Sequence, residues 1–307
     1  MYDQIKKLEM EGNSLKQQID NFGIHTLLGE KAIDLLGHNL VKNSIVSLGC
    51  SERFDFFKSI PVLNSALSVL NAWDGHPKTA RAWSEPGSKA FQIFAERHQI
   101  KELYEAGFLV VLENIERFIP ELQPLCRALE FDLSLPQGKV NVEIFCGKKG
   151  CTGRAHFDHS FTFNCQLIGT KKWKLAENKS IHFPTTGMFL DSKPPAEISK
   201  YLLSPIPNIV ENYEEFVASS GDVIFVAPGV IHETYMESDS LAIAFAIEHT
   251  DSIAKKISEG VRLKLQNWPE LRAARLGGQF RNISAEMKLV AFELRKLAGQ
   301  LDGGNSF

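Results

Sequence analysis

With 307 residues, 44% of them apolar and 23% charged, the chain can build one large domain with an appendage or two modest domains. A net charge of −3 gives no bulk electrostatic reason to expect a polyanion partner, and no run approaches the roughly 20 apolar residues of a membrane span, so neither a leader nor a membrane segment is expected. Five irregularly spaced cysteines (Cys50, Cys126, Cys146, Cys151 and Cys165) argue against a disulfide framework and for reduced thiols in a cytoplasmic compartment, and Cys146 and Cys151 lack the second pair that a zinc site needs.

Taken in order, residues 1–30 read as helix, with Ile5, Leu8, Leu15 and Ile19 at helical spacing, an interruption at Gly12-Asn13 and a stop at Gly23. Residues 31–60 mix helical and extended signals. Pro61 opens a predicted helix over 62–73, closed by Asp74-Gly75-His76-Pro77. Residues 80–89 read as loop, 91–104 as helix, 108–113 (F-L-V-V-L-E) as a buried strand and 120–129 as a short helix.

The pattern turns extended near Lys139. Val140, Val142, Ile144 and Cys146 alternate with Asn141, Glu143 and Phe145; a Gly- and Lys-rich loop follows at 147–153. Alternation resumes from Phe161 to Ile168, turns at Gly169-Thr170 and returns from Lys171 to Leu175. Residues 184–213 hold five of the 13 prolines and read as a long insertion of the kind that serves as a lid or binding loop. Strands are predicted at 223–227 and 241–247, with Pro228-Gly229 and His232 between them. Beyond Thr250 the chain reads as helix, with an apolar stripe of Ile283, Met287, Val290, Leu294, Leu297 and Leu301 capped by Ser284. Short strands flanked by helical ends favour a mainly β, α+β architecture: a double-stranded β-helix (cupin, jelly-roll) core with helical N-terminal and C-terminal regions. The expected division is 1–104, 105–250 and 251–307.

Chemistry concentrates in the core. In H-F-D, His156 and Asp158 are two apart, so on a strand both side chains share a face and converge on one metal ion. His232, in G-D-V-I-F-V-A-P-G-V-I-H, is the candidate third ligand. Two histidines and one carboxylate with the remaining positions open suit non-haem Fe(II) and O2 chemistry.

At these residues the chain resembles the JmjC subgroup of Fe(II)- and 2-oxoglutarate-dependent oxygenases. It is most similar to the cupin-type ribosomal oxygenases, with the asparaginyl hydroxylase that inhibits hypoxia-inducible factor as a more distant relative. The likeness covers about residues 105–250. It rests on H-F-D-H-S-F-T-F-N-C-Q-L-I-G-T-K-K-W-K-L, on the lead-in E-A-G-F-L-V-V-L-E-N-I-E-R-F-I-P and on G-D-V-I-F-V-A-P-G-V-I-H-E. It implies that His156, Asp158 and His232 hold Fe(II), and that 2-oxoglutarate and O2 are co-reactants. The family's 2-oxoglutarate-binding basic residue, fifteen positions after the first His, falls on Lys171. Strand parity agrees, since Lys171 shares a face with Trp173 and Leu175 while Lys172 and Lys174 point outward. Thr162 stands where relatives carry a polar residue near the cosubstrate, and Asn141 and Thr152 are further candidates. A protein or peptide substrate is implied, with a small molecule as the alternative.

The other basic residues (Lys148, Lys149, Arg154, Lys172 and Lys174) read as a solvated face, so nucleic acid is not expected as a direct substrate. The C-terminal stripe fits either intramolecular packing or a homodimer seam. Two other readings stand beside the oxygenase: a metal cupin enzyme that does not use 2-oxoglutarate, marked by an exposed Lys171, and a non-catalytic cupin binding or dimerisation module, marked by a lost ligand.

Overall fold

Strand β5 (Val140–Gly147) sets the sidedness of the molecule: Val140, Val142, Ile144 and Cys146 are buried on one face, while Asn141, Glu143 and Phe145 are partly buried on the other. The computed structural model describes residues 23–32, 43–49, 51–75, 79–83, 92–207 and 212–247, with the helical residues Lys288, Ala291, Phe292, Arg295, Lys296 and Gly299. The chain divides into two compact units, Met1–Glu248 and His249–Phe307.

The first unit contains two antiparallel sheets. The larger runs β1 (Ile45–Ser47), β11 (Val223–Val226), β7 (Phe161–Ile168), β13 (Ser240–Ile247), β5, β4 (Leu109–Glu113), β2 (Ala80–Trp83) and β3 (Gln92–Phe94). The smaller runs β10 (Glu214–Ala218), β8 (Lys171–Ala176), β12 (Ile231–Met236), β6 (Thr152–Phe157) and β9 (Met188–Phe189). Two facing antiparallel sheets with strands alternating between them make the double-stranded β-helix expected from the sequence. Gly169 makes the turn from β7 in one sheet to β8 in the other; its φ of 75° lies in the left-handed region, and any Cβ there would meet the carbonyl oxygen of Asp239.

Helices cover the apolar face of the larger sheet. Phe54, Phe57, Leu125 and Leu129 join Val142, Ile144, Phe163, Phe225 and Phe245 in one core, with the Phe57 and Phe245 ring centroids 6.4 Å apart. Two carboxylates fix the start of β5: buried Glu130 Oε1 accepts from the Lys139 and Val140 amides at 2.7 and 3.1 Å, and half-buried Glu116 Oε2 accepts from the Val142 amide at 3.0 Å. Each satisfies a backbone donor before the sheet ladder does.

Several local expectations are corrected. Residues 80–89 are not all loop, because Ala80–Trp83 pairs with β4 and β3. The predicted helix over 91–104 is a short strand, Gln92–Phe94, followed by the helix Arg97–Glu105, whose start is fixed by a capping box between Glu96 and Gln99. The segment after Pro61 splits into a 3-10 turn, Pro61–Asn64, and the helix Ala66–Ala72, because Ser65 is extended and its hydroxyl accepts from the Ser68 amide. Gly23 precedes the helix Ile24–Leu28, whose first amide is held by Asp132 at 2.9 Å, and the predicted helix before Gly23 lies outside the described residues. The insertion is not structureless, since it supplies β9 and the short helix Ala196–Ser199 and buries Met188, Leu190 and Ile198. In the second unit the described residues between Lys288 and Gly299 are helical, as expected, while the six stripe residues lie outside the described residues.

Candidate metal centre and adjoining cavity

Between the sheets lies a cavity of about 400 Å³, and His156, Asp158 and His232 all line it. His156 ends β6 one residue before the chain leaves the strand, Asp158 follows it, and His232 sits directly opposite His156 on β12. One ligand atom from each lies within 4.8 Å of the others. Asp158 Oδ2 is 3.7 Å from His156 Nε2 and 3.5 Å from His232 Nε2.

Both imidazoles are oriented by backbone carbonyls. The Nδ1–H of His156 donates to the Arg154 carbonyl at 2.6 Å, and that of His232 donates to the Val230 carbonyl at 3.1 Å. A carbonyl only accepts, so Nδ1 carries the proton in both rings and each Nε2 lone pair faces Asp158. Burial, with His156 adding, pushes His232 down to about 4, which keeps it neutral as a ligand must be. Burial alone would raise the Asp158 carboxyl, but His156, His232, His159 and Arg81 outweigh it and hold it below the ordinary carboxylate range. The donor set fits a divalent metal: two imidazole Nε2 atoms and one carboxylate.

The insertion presses on these ligands. Phe189 of β9 pairs with His156 across the ladder, and their rings lie 5.2 Å apart. Phe189 also packs on Trp83 at 4.9 Å and under the Arg154 guanidinium at 4.9 Å. At Gly187 a Cβ would stand 3.1 Å from Asp158 Oδ1, so a larger residue would crowd the carboxylate. Arg154 pairs with Asp191, tying β6 to the same segment.

Lys171 enters the cavity from β8. It is 3% exposed, and its ammonium stands 5.4 Å from the Phe145 ring and 5.7 Å from the Trp173 ring. Among the described residues no carboxylate pairs with it, and burial pushes it down to about 8. Lys172 and Lys174 point the other way, where Lys172 pairs with Glu215 at 2.5 Å and Lys174 lies 3.8 Å from Glu233.

Of the remaining candidates, Thr162 and Thr152 line the cavity. Thr162 is 8% exposed, and Thr152 Oγ1 is buried without a partner. Asn141 does not line it: the row Asn141–Ala246–Thr162 crosses the larger sheet, and only its Thr162 end reaches the cavity. Sequence reasoning missed Arg81, Trp83, Glu143, Asn164 and Phe189 as lining residues. For Glu143 and Asn164 the signal was available, because strand parity places them with Phe145 and Thr162. Arg81, Trp83 and Phe189 sit on strands too short to be read. Burial, with the Asp158 carboxylate nearby, pushes Glu143 up to about 7.

These observations are matched by comparison with known proteins. Residues 114–254 fit the family model described as the JmjC domain. The fold of this chain is shared with YcfD, a ribosomal oxygenase from Escherichia coli: the structure in complex with cobalt and 2-oxoglutarate matches at a TM-score of 0.54 and 16% identity, over 89% of this chain and 68% of that one. The YcfD structure with cobalt and succinic acid matches at 0.53 and 15%, over 88% and 67%. In sequence, this chain is 28% identical over 146 positions to the uncharacterized protein YxbC of Bacillus subtilis (strain 168). That match spans 46% of this chain and 44% of YxbC, so the chain spans less than half the length of the curated relative it matches.

Proposed function

We propose that the protein is an Fe(II)- and 2-oxoglutarate-dependent oxygenase that hydroxylates a C–H bond of a polypeptide, with succinate and CO2 as co-products. The observation that carries this reading is one cavity holding both a two-histidine, one-carboxylate triad and a buried ammonium that no carboxylate among the described residues pairs with. A metal alone would explain the triad but not Lys171, whose burial as a cation is costly until an anion joins it. A 2-oxo acid with a distal carboxylate answers both.

In this reading His156, Asp158 and His232 hold the iron, with both rings locked by their carbonyl partners. Lys171 donates to the distal carboxylate of the cosubstrate in a charge-assisted hydrogen bond. Iron with 2-oxoglutarate supplies the oxidative decarboxylation and the oxygen atom delivered to the substrate. The apolar walls, Phe145, Trp173, Phe189 and Met236, exclude water from that chemistry. Burial of Lys171 removes the sign that would favour a cupin enzyme without 2-oxoglutarate.

A polypeptide substrate is supported by the likeness to a protein described as a ribosomal oxygenase.

The test is succinate release with Fe(II), ascorbate and 2-oxoglutarate, with and without His156→Ala, followed by mass spectrometry of lysate proteins for the gain of one oxygen. Succinate release that survives His156→Ala would end this reading.

A further inference from the structure

Thr162 and Asn164 stand two residues apart on β7, so their side chains share its inward face, and both line the cavity. Asn164 Nδ2 donates to Thr162 Oγ1 at 2.9 Å and to the Ile224 carbonyl on β11 at 3.3 Å. The carbonyl can only accept, which identifies the nitrogen end of the amide and commits both of its hydrogens. An amide nitrogen cannot accept in return. Across the 2.9 Å contact the Thr162 hydroxyl is therefore the acceptor, and its own proton must point elsewhere. Among the described residues no acceptor for that proton is recorded, and Thr162 lines the same cavity as Lys171 and the triad.

We infer that Asn164 is a positioning residue: by donating to Thr162 Oγ1 it makes the Thr162 hydroxyl an obligate donor into the cavity, aimed at a carboxylate oxygen of the bound 2-oxo acid. The inference rests on the reading proposed above and adds to it a residue that acts through another. A freely rotating hydroxyl would divide its time between donating and accepting; fixing it as a donor selects an anion. The competing role for Asn164 is a staple between β7 and β11, where Asn164 already faces Ile224 in the ladder. A staple would affect stability and leave ligand affinity alone.

The experiment is equilibrium titration of 2-oxoglutarate into the Zn(II)-loaded full chain, by calorimetry, with Tm recorded for each variant. Thr162→Val removes the donor with little change in shape and is expected to raise Kd about tenfold. Asn164→Leu removes the director and is expected to raise Kd roughly three- to tenfold. The double variant is expected to bind no worse than Thr162→Val, because the amide has nothing left to direct. Thr162→Ser keeps the hydroxyl and is expected to stay within about twofold of wild type. Asn164→Ala serves in place of Asn164→Leu should the larger side chain prevent folding.

The inference is overturned if the Asn164 variants lower Tm but leave Kd unchanged, or if the two losses multiply in the double variant. In those outcomes Lys171→Ala still weakens 2-oxoglutarate and the oxygenase reading stands. Wild-type protein that takes up no 2-oxoglutarate would overturn both.

Discussion

On the eight-stranded sheet, β13 is buried along its whole length, and Phe163 of β7, Phe225 of β11 and Phe245 of β13 pack against helices. Among the described residues, the apolar cover of the five-stranded sheet is confined to the insertion, whose Met188, Leu190 and Ile198 pack with Phe157, Ala176 and Ile231. The outer face of that sheet carries Lys172, Lys174, Glu215, Glu233 and Tyr235 toward solvent, while its inner face carries His156, His232 and Lys171. Both sheets follow the same two-residue alternation. In the first it divides two buried environments, one apolar and one lining the cavity; in the second it divides solvent from chemistry. Stability and reactivity are therefore lodged in different sheets, and substitutions should separate them.

The sharpest separation is expected at the ligands. Asp158→Ala should lower succinate release on the order of a thousandfold or more, since one of three protein donors to the metal is gone. Thermal unfolding of the metal-free protein should barely move, because the Asp158 side chain is only half-buried. Turnover within tenfold of wild type would break the assignment of the triad.

Phe245→Ala should do the reverse. The side chain is fully buried on the helix-covered face, and deleting it should cost about 3–5 kcal/mol in urea unfolding. Per folded molecule, succinate release should be retained. A cost under about 1 kcal/mol would mean that the larger sheet is not the stabilising one.

Within the smaller sheet, two adjacent lysines sharpen the comparison. Lys171→Ala should raise the 2-oxoglutarate requirement about ten- to a hundredfold, the worth of a charge-assisted hydrogen bond of roughly 1.5–3 kcal/mol. Lys172→Ala, which only loses a solvent-screened pair with Glu215, should stay near wild type in the same assay. A defect in Lys172→Ala and none in Lys171→Ala would invert every face of β8.

How far the sequence carried depended on strand length. β5, β7 and β13 each run eight residues, long enough for alternation to declare both the strand and its faces, and β8 did so over six. That is why the inward face of Lys171 could be expected from parity. β2, β3 and β9 run four, three and two residues, too short for any period to register. They exist because neighbouring strands pair with them, a tertiary cause invisible in a local window. Across 91–104, Phe91 and Phe94 three apart and Ile100 and Tyr104 four apart imitate helical spacing, although the chain is extended at Gln92–Phe94 and helical only from Arg97. The missed members of the site follow the same rule. Trp83 and Phe189 meet at 4.9 Å from segments more than a hundred positions apart, and only the fold joins them.

The smallest expected effect tests whether Lys171 is a cation held ready for an anion. Burial lowers it from 10.5 to about 8, so between those values the unfolded chain binds this proton more tightly than the folded, ligand-free protein does. The Lys171 contribution to stability of the ligand-free protein therefore rises with pH across that window, as a charged buried amine becomes neutral. Affinity for 2-oxoglutarate should move the opposite way, because only the ammonium pairs with a carboxylate. The competent fraction falls from about nine-tenths at pH 7 to about one-tenth at pH 9, so Kd should rise about tenfold. Lys171→Met keeps the side chain's bulk and removes the proton. It should bind 2-oxoglutarate weakly with no such slope, and when ligand-free it should be more stable than wild type at pH 7 by a margin that closes toward pH 10.5. Kd that stays flat from pH 7 to 9 in wild type, or a slope that persists in Lys171→Met, would show that the cavity's anion is held by some other group.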